Sequence, residues 1–237
     1  MENLEVIYPD LFPIEIPPNT VMLKGLDWDS NVYLFRSGKE ALIIDTGTGE
    51  NAERYFSLWL GEGYLDGLRK VVIFNTHEHF DHVGGNLAMK ELFERLNVNV
   101  LFAAHRKTAE VLERAESSII LDYAYGKRFP GHKVDIKLDD GDYLRVGRRK
   151  LLLLHTPGHT AGSSCLYLDG DVRLMFTGDT VFNGTVGRTD LPTGNREELK
   201  RSIERLAELE VDFGLPGHGK YIEDWRGNIE RILGWLR

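Results

Sequence analysis

The chain has 237 residues, of which 42% are apolar and 28% are charged, and its formal charge is −8. This length allows a sizeable core, and we expect a single α/β domain over residues 1–237. The acidic balance disfavours nucleic acid as a partner, because a protein that tracks phosphates normally needs a basic face.

Hydrophobic periodicity predicts strands first, then alternating helices and strands, then strands again. The elements expected before residue 117 are strands at 20–23, 31–35 and 41–44, a helix at 50–60, a strand at 71–74, a helix at 86–96, a strand at 98–102 and a helix at 105–116. Those expected after residue 132 are strands at 134–138, 143–146, 150–155, 164–168 and 173–176, a helix at 196–209, a strand at 211–215 and a helix at 223–236. This order predicts two sheets packed face to face with helices on their outer faces.

One segment, residues 117–131, is harder to assign. It carries aromatic residues such as Tyr125 and Phe129 and ends in a Pro-Gly pair. We interpret the region at about 105–132 as an insertion that lies beside the active site. A segment that packs into the core is the alternative.

A cluster of metal-binding side chains follows the strand expected at 71–74. The stretch Thr76-His77-Glu78-His79-Phe80-Asp81-His82 contains three histidines and two carboxylates. An apolar run that ends in such a cluster is typical of a buried strand that delivers polar side chains into a loop. Imidazole and carboxylate groups without thiolate suit Zn, Fe(II) or Mn, and the stretch alone can serve two metals. A solvated polar turn is the alternative.

Three further expected strands each lead into one residue of a metal-binding type beside a glycine. These residues are His159, Asp179 and His218. Such loop positions on a rigid scaffold are where functional side chains are commonly found. Asp45 follows its strand much as Asp179 does, which indicates an internal duplication. Together with the histidine stretch, these positions predict a metal centre assembled from distant parts of the chain.

The five motifs resemble those of the metallo-β-lactamase superfamily, in order and from about Val21 onward. The resemblance implies an αββα four-layer sandwich with a dinuclear metal site at one edge. By matching positions it assigns His77, His79 and His159 to a first metal. It assigns Asp81, His82 and His218 to a second metal, and Asp179 to both. Asp45 matches an acidic residue that supports such a site without binding the metal.

The cofactors that this arrangement implies are two divalent metal ions. Zn is the first choice, and Fe or Mn are the alternatives. Such a pair can lower the pKa of a shared water and supply a metal-bridging hydroxide near neutral pH. Asp81 is the candidate catalytic residue for proton transfer, in addition to its ligand role. Cys165 lies inside an expected apolar strand and is interpreted as a packing residue.

Two further stretches resemble the glyoxalase II branch of this superfamily, whose members hydrolyse glutathione thioesters. Residues 176–182 match that branch, and residues 187–192 are similar to small glyoxalase II-like hydrolases and to persulfide dioxygenases. Arg188 is the candidate for binding an anionic group of the substrate, since a guanidinium binds carboxylates with two hydrogen bonds. A structural ion pair with Asp190 is the alternative.

Two departures from these relatives narrow the prediction. The chain ends nineteen residues after His218, so the C-terminal helical domain that carries basic glutathione contacts in full-length glyoxalase II is not expected. Phe182, a candidate substrate-binding residue, stands where acyl-homoserine lactonases carry a tyrosine. The lactonase function is therefore disfavoured.

The sequence thus predicts a metal-dependent hydrolase, with thioesters as the favoured small-molecule substrates. A mononuclear-iron persulfide dioxygenase is an alternative, whose retained ligands would be His77, His79 or an equivalent, His159 and Asp179. A lactonase of the same superfamily is another. The sequence leaves open whether the protein is a monomer or a homo-oligomer.

Several features of the sequence predict a cytoplasmic protein. The segment before Thr20 lacks the basic start and apolar centre of a secretion signal. No apolar run reaches the length that crosses a membrane, and a single cysteine cannot form an internal disulfide. The absence of glutamine and the many Glu, Lys and Arg residues indicate a thermophilic source, although eleven asparagines count against it.

Overall fold

The computed structural model describes residues 12–236, which form two β-sheets flanked by helices. The strands are β1 (Ile14–Ile16), β2 (Thr20–Leu23), β3 (Val32–Ser37), β4 (Glu40–Ile44), β5 (Lys70–Asn75), β6 (Asn99–His105), β7 (Ile136–Leu138), β8 (Tyr143–Val146), β9 (Arg149–His155), β10 (Ser164–Leu168), β11 (Leu174–Gly178) and β12 (Phe213–Pro216). The helices are α1 (Ala52–Gly61), α2 (Phe80–Val83), α3 (Asn86–Arg95), α4 (Arg106–Arg114), α5 (Ser117–Ile120), α6 (Arg196–Leu206) and α7 (Trp225–Trp235), with a 3₁₀ turn at Asp122–Tyr125. Within residues 12–236, none of the helices is both long and apolar enough to cross a bilayer.

The two sheets differ in their strand directions. The first has seven strands in the order β1-β2-β3-β4-β5-β6-β7, antiparallel as far as β4 and parallel from β4 to β7. Parallel neighbours need crossover connections, and the segments that contain α1, α3 and α4 supply them. The second sheet has five strands in the order β12-β11-β10-β9-β8, and its one parallel pair is β11 with β12.

Three apolar layers hold the sheets and helices together. Trp59 and Phe93 pack between the first sheet and the helices α1 and α3. Tyr33 and Phe176, whose ring centroids are 5.6 Å apart, lie in the layer between the two sheets. Ile203 belongs to the layer that joins the second sheet to α6 and α7. The order helix, sheet, sheet, helix confirms the predicted αββα four-layer sandwich.

The expected strands and helices from residue 20 onward are present, with ends that shift by a few residues. The strand expected at 98–102 extends to His105, and the helix expected to reach residue 209 ends at Leu206. The sequence patterns missed β1, which lies beside two prolines, and α2, which is too short to show a helical period. Residues 1–11 lie outside the described part, so the inference from their composition that no secretion signal is present stays a prediction.

The carboxyl ends of β4, β5, β9, β11 and β12 meet at one edge of the sandwich. β9 runs in the same direction as β11, because both are antiparallel to β10 between them. Backbone hydrogen bonds join the two sheets here: the Asn31 N–H donates to the Gly217 carbonyl at 2.6 Å, and the Ser164 N–H donates to the Thr76 carbonyl at 2.9 Å. Side chains that follow these strands are therefore held close together.

A stacked pair of histidines lies near the same edge, outside the histidine stretch. The rings of His105, at the end of β6, and His155, at the end of β9, are parallel to within 9°, with centroids 4.0 Å apart. Burial, together with the positive charge that His155 and Lys107 can carry, lowers the pKa of His105 from 6.5 to about 4; Asp139 and Asp140 oppose this shift. The His105 side chain also accepts a hydrogen bond from the Lys107 N–H, which caps α4.

We expect the His105→Asn variant to lose part of the acid sensitivity of the protein. Between pH 6.5 and 4 the unfolded chain takes up a proton at His105 and the folded protein does not, so stability falls as the pH falls. The slope contributed by this group is at most about 1.4 kcal/mol per pH unit. Urea unfolding of both proteins across this range measures the difference, and asparagine preserves the cap on α4. Parallel pH profiles would contradict the assignment.

Candidate metal centre

The histidine stretch occupies the turn from β5 into α2. His77 and His79 lie in the loop after β5, whereas Asp81 and His82 lie in the short helix α2. The helix is anchored to the end of β4, because the Thr46 N–H donates to the His82 carbonyl at 2.8 Å. The change from extended chain to helix turns the second pair of side chains away from the direction of the first pair.

The structure brings all seven predicted ligands together. Donor atoms within 4.8 Å of one another form three groups: His77, His79 and His159; His77, His82 and Asp179; and Asp81, His82 and His218. The closest pairs are His159 Nε2 to His79 Nδ1 at 2.9 Å and His82 Nε2 to His218 Nε2 at 3.2 Å. The groups adjoin one another, because they share His77 and His82.

Asp179 lies between the two ends of this cluster. Its Oδ1 is 3.3 Å from His82 Nε2, and its Oδ2 is 3.5 Å from His159 Nε2 and 3.8 Å from His218 Nε2. Gly217 allows this packing, since a Cβ atom at that position would lie 2.2 Å from Asp179 Oδ1. Each oxygen of the carboxylate thus faces a different part of the cluster.

Hydrogen bonds fix the rotation of three of the imidazole rings. His82 Nδ1 lies 2.7 Å from Asp45 Oδ2, and His159 Nδ1 lies 2.7 Å from the Arg188 carbonyl oxygen. His77 Nδ1 lies 3.1 Å from the Thr76 hydroxyl, which itself donates to Asp45. With Nδ1–H donated in each ring, the lone pair of Nε2 is left free to bind a metal.

Asp45 is the residue on which this orientation depends. Its Oδ1 accepts a hydrogen bond from the Thr76 N–H at 2.9 Å, and its Oδ2 accepts one from the Thr76 hydroxyl at 2.7 Å in addition to the one from His82. The residue has a φ of +57°, a conformation that is uncommon outside glycine and that places its carboxylate under the histidine turn. Asp45 is absent from all three groups of adjoining donor atoms.

Some buried polar atoms of the cluster lack hydrogen-bond partners, which indicates whether these residues fit a metal. Among the described residues, His77 Nε2 and Asp179 Oδ1 are atoms of the cluster that are buried and have no hydrogen-bond partner. Buried polar atoms are normally paired, because an unpaired one costs free energy. A cation among these lone pairs would satisfy them, so the residues fit a metal site.

The pKa shifts describe the same site. Burial, with a further contribution from neighbouring histidines, lowers the pKa of His77 far below its ordinary value and that of His79 to about 3. Burial alone would raise the pKa of Asp179, but the adjacent His82 and His218 outweigh it and hold that pKa well below the ordinary value. His77 and His79 are thus neutral and Asp179 is ionised, which are the forms that bind metals. Burial lowers the pKa of His82, but the nearby Asp179, Asp45 and Asp81 outweigh it and raise that pKa.

A pocket of about 530 Å³ opens onto the cluster. The segment after α5 contributes Leu121, Ala124 and Tyr125 to its wall, whereas Ile120 and Phe129 of the same region are buried in the core. One part of this region thus lies beside the pocket and another part packs into the core. Its origin as an insertion stays a prediction. A larger cavity, of about 700 Å³, lies beside β1 and is not lined by any residue of the cluster.

The two candidate substrate-binding residues, Phe182 and Arg188, both line the pocket at the histidine cluster. The ring centroid of Phe182 is 6.0 Å from that of His218. The Arg188 guanidinium makes two hydrogen bonds of 2.7 Å to Asp190, so the predicted ion pair is present. The backbone carbonyl of Arg188 is the group that orients His159. Substrate binding by either residue stays a prediction.

Sequence reasoning assigned no role to Glu78, Thr108 or Tyr125. Glu78 is buried and accepts a hydrogen bond of 2.9 Å from the Thr108 hydroxyl on α4, and burial raises its pKa. Its position between two ligand-type histidines was the available signal, since alternate residues of an extended segment point to opposite sides. Burial and the nearby Asp81 carboxylate raise the pKa of Tyr125, a proximity that no sequence motif indicated.

The sequence profile of the metallo-beta-lactamase superfamily matches residues 25–218. With the fold and the cluster described above, this match shows that the chain belongs to that superfamily. The crystal structure of the B3 metallo-beta-lactamase BLEG-1 is similar, with a TM-score of 0.74 and 28% identity over 92% of this chain and 99% of that chain. The sandwich and the site edge are thus those of a known family.

Two relatives of known or proposed activity are similar over most of their length. The acyl-coenzyme A thioesterase MBLAC2 of Homo sapiens is 33% identical over 80% of this chain and 72% of that protein. The probable metallo-hydrolase MJ0888 of Methanocaldococcus jannaschii is 32% identical over 84% of this chain and 91% of that protein. These similarities support a metallo-hydrolase. The glyoxalase II-like branch stays a prediction.

The Asp45→Asn variant should bind metal about 10-fold to 100-fold more weakly than the wild type, a range typical for residues that orient metal-binding histidines. An asparagine cannot accept hydrogen bonds at both positions that Asp45 now uses, so the His82 ring loses its fixed orientation. Titration with a chromophoric zinc chelator measures the affinity. Asp171→Asn, in an exposed turn between β10 and β11, is the matched control. Equal affinity in all three proteins would contradict the role of Asp45.

Proposed function

We propose that the protein is a metal-dependent hydrolase of thioesters. The observation that carries this proposal is the set of adjoining donor groups that share His77 and His82 at the floor of an open pocket. The similarity to a protein named as an acyl-coenzyme A thioesterase supports thioesters as the substrate class. The substrate is thus a small molecule whose carbonyl group reaches the cluster through the pocket.

In this proposal seven side chains hold two divalent metal ions. The first ion is held by His77, His79 and His159, and the second by Asp81, His82 and His218. Asp179 binds both ions. Zn is the first choice for both ions, because it tolerates mixed imidazole and carboxylate ligands, and Fe or Mn are the alternatives. Two bound ions would polarise the carbonyl group of the substrate and provide hydroxide near neutral pH.

The remaining chemistry falls to side chains around the cluster. Asp81 lies at the pocket, and the balance of burial against the charges of His82 and His218 lowers its pKa, so it is ionised and able to accept a proton. His218 Nε2 lies 3.2 Å from Asp81 Oδ2, and Tyr125 lines the same pocket. Phe182 and Leu191 give the pocket apolar walls beside the cluster.

The donor groups also bear on the persulfide dioxygenase alternative. A mononuclear iron site needs only one set of ligands, which His77, His159 and Asp179 can provide. Here a further group is present, Asp81 with His82 and His218. It adjoins that set, because His82 Nε2 lies 3.3 Å from Asp179 Oδ1. A second complete set of donor side chains favours hydrolysis by two metals over oxygen chemistry at one.

Removal of the metals should abolish thioester hydrolysis, and Zn(II) should restore it. Because hydrolysis uses water alone, an oxygen electrode should record no oxygen consumption with thioester or persulfide substrates. The His79→Ala variant should lose at least about 100-fold in kcat/KM, since one ligand of the first metal is gone. His132→Ala, at a histidine outside the donor groups, should retain activity. Oxygen uptake, or full activity after chelation, would contradict the proposal.

A further inference from the structure

A second cavity adjoins the pocket at the metal centre. It has a volume of about 450 Å³, and its walls include Trp28, Phe80 and Lys127. Ala124 and Tyr125 line both this cavity and the pocket in front of the histidines. The two spaces therefore adjoin one another at Ala124 and Tyr125.

The second cavity presents an aromatic surface. The Trp28 side chain is 74% exposed, which is unusual for so large an apolar group. Phe80 and Tyr125 lie on the same cavity, with ring centroids 5.3 Å apart. An exposed aromatic residue beside a concave apolar surface marks a site where an apolar partner is bound.

The loop that carries Trp28 is held firmly against the site. The buried carboxylate of Asp29 accepts hydrogen bonds from the Thr48 N–H at 2.7 Å and from the Tyr55 hydroxyl at 2.8 Å. The next N–H along the chain, that of Ser30, donates to the Asp81 carbonyl at 3.0 Å. Trp28 is thus exposed on a rigid loop that is bonded directly to the metal-binding helix, so its position relative to the site is fixed.

The charges around the two spaces disfavour an anionic occupant. Lys127 pairs with Glu50 at 3.0 Å, and Arg188 pairs with Asp190 through two hydrogen bonds. Both of the Lys and Arg side chains that line the two spaces are therefore already neutralised by a carboxylate. A phosphate or carboxylate group would have to compete with Glu50 or Asp190, whereas a hydrocarbon chain would lie on the aromatic surface without that cost.

We propose that the second cavity binds the hydrocarbon tail of the acyl group of the thioester, so that the protein prefers medium-length acyl chains to acetyl or lactoyl groups. This inference rests on the proposed function and specifies its substrate class. The carbonyl group lies at the metal centre, the chain passes Ala124 and Tyr125, and its end packs on Trp28 and Phe80. The thiol part leaves by the open side of the first pocket.

The test compares acetyl and decanoyl thioesters of one thiol with the metal-loaded enzyme. The wild type should show a higher kcat/KM for the decanoyl substrate. In Trp28→Ala the ratio of decanoyl to acetyl kcat/KM should fall by about ten-fold or more, because each methylene group that loses its apolar cover costs roughly a four-fold change. Trp235→Ala, an exposed tryptophan on α7, is the matched control and should keep the wild-type ratio.

A binding measurement separates this inference from the proposed function. Calorimetric titration with decan-1-ol should give a Kd that rises by about ten-fold in Trp28→Ala and is unchanged in Trp235→Ala, whether or not thioesters are hydrolysed. Hydrolysis without a preference for chain length, together with equal decan-1-ol affinity in all three proteins, would overturn the inference and leave the thioesterase proposal standing. Loss of an oligomer in Trp28→Ala with an unchanged substrate ratio would instead show that Trp28 covers a second copy of the chain.

Discussion

Lone pairs that face one another in a buried space cost free energy unless a cation lies between them. This constraint governs the edge of the sandwich, where His77 Nε2 and Asp179 Oδ1 are buried without hydrogen-bond partners. His77 Nδ1 already lies 3.1 Å from the Thr76 hydroxyl, so the lone pair of Nε2 is left for a metal. The donor atoms of the site thus fit metal ions, and the surrounding fold holds these atoms together although their burial without partners costs free energy.

The fold meets this requirement by collecting strand ends. Strands of both sheets end at the same edge, and backbone hydrogen bonds such as that from Asn31 to Gly217 join the sheets there. Asp45 accepts hydrogen bonds from Thr76 and His82 in the histidine turn. The loop of Trp28 contacts the same turn, because the Ser30 N–H donates to the Asp81 carbonyl. These contacts therefore join the candidate ligands to the loop of Trp28 from different parts of the chain.

The sequence predicted the order of layers and the identity of the clustered residues, since hydrophobic periods and ligand-type side chains at strand ends are local signals. It did not predict β1 or α2, because prolines obscure the first and the second is only one turn long. The hydrogen bond between Glu78 and Thr108, the position of Tyr125 between two cavities and the cavity beside Trp28 depend on contacts between distant segments. No local pattern encodes such contacts, so the polar groups behind the site and the shape of the substrate space required the structure.

X-ray diffraction from metal-loaded crystals, recorded on both sides of the metal absorption edge, tests the central claim most directly. The account predicts two anomalous peaks, one among His77, His79 and His159 and the other among Asp81, His82 and His218, with the Asp179 carboxylate between them. A peak at some other part of the surface, or a single ion that leaves one of these two groups without metal at saturating concentration, would contradict it.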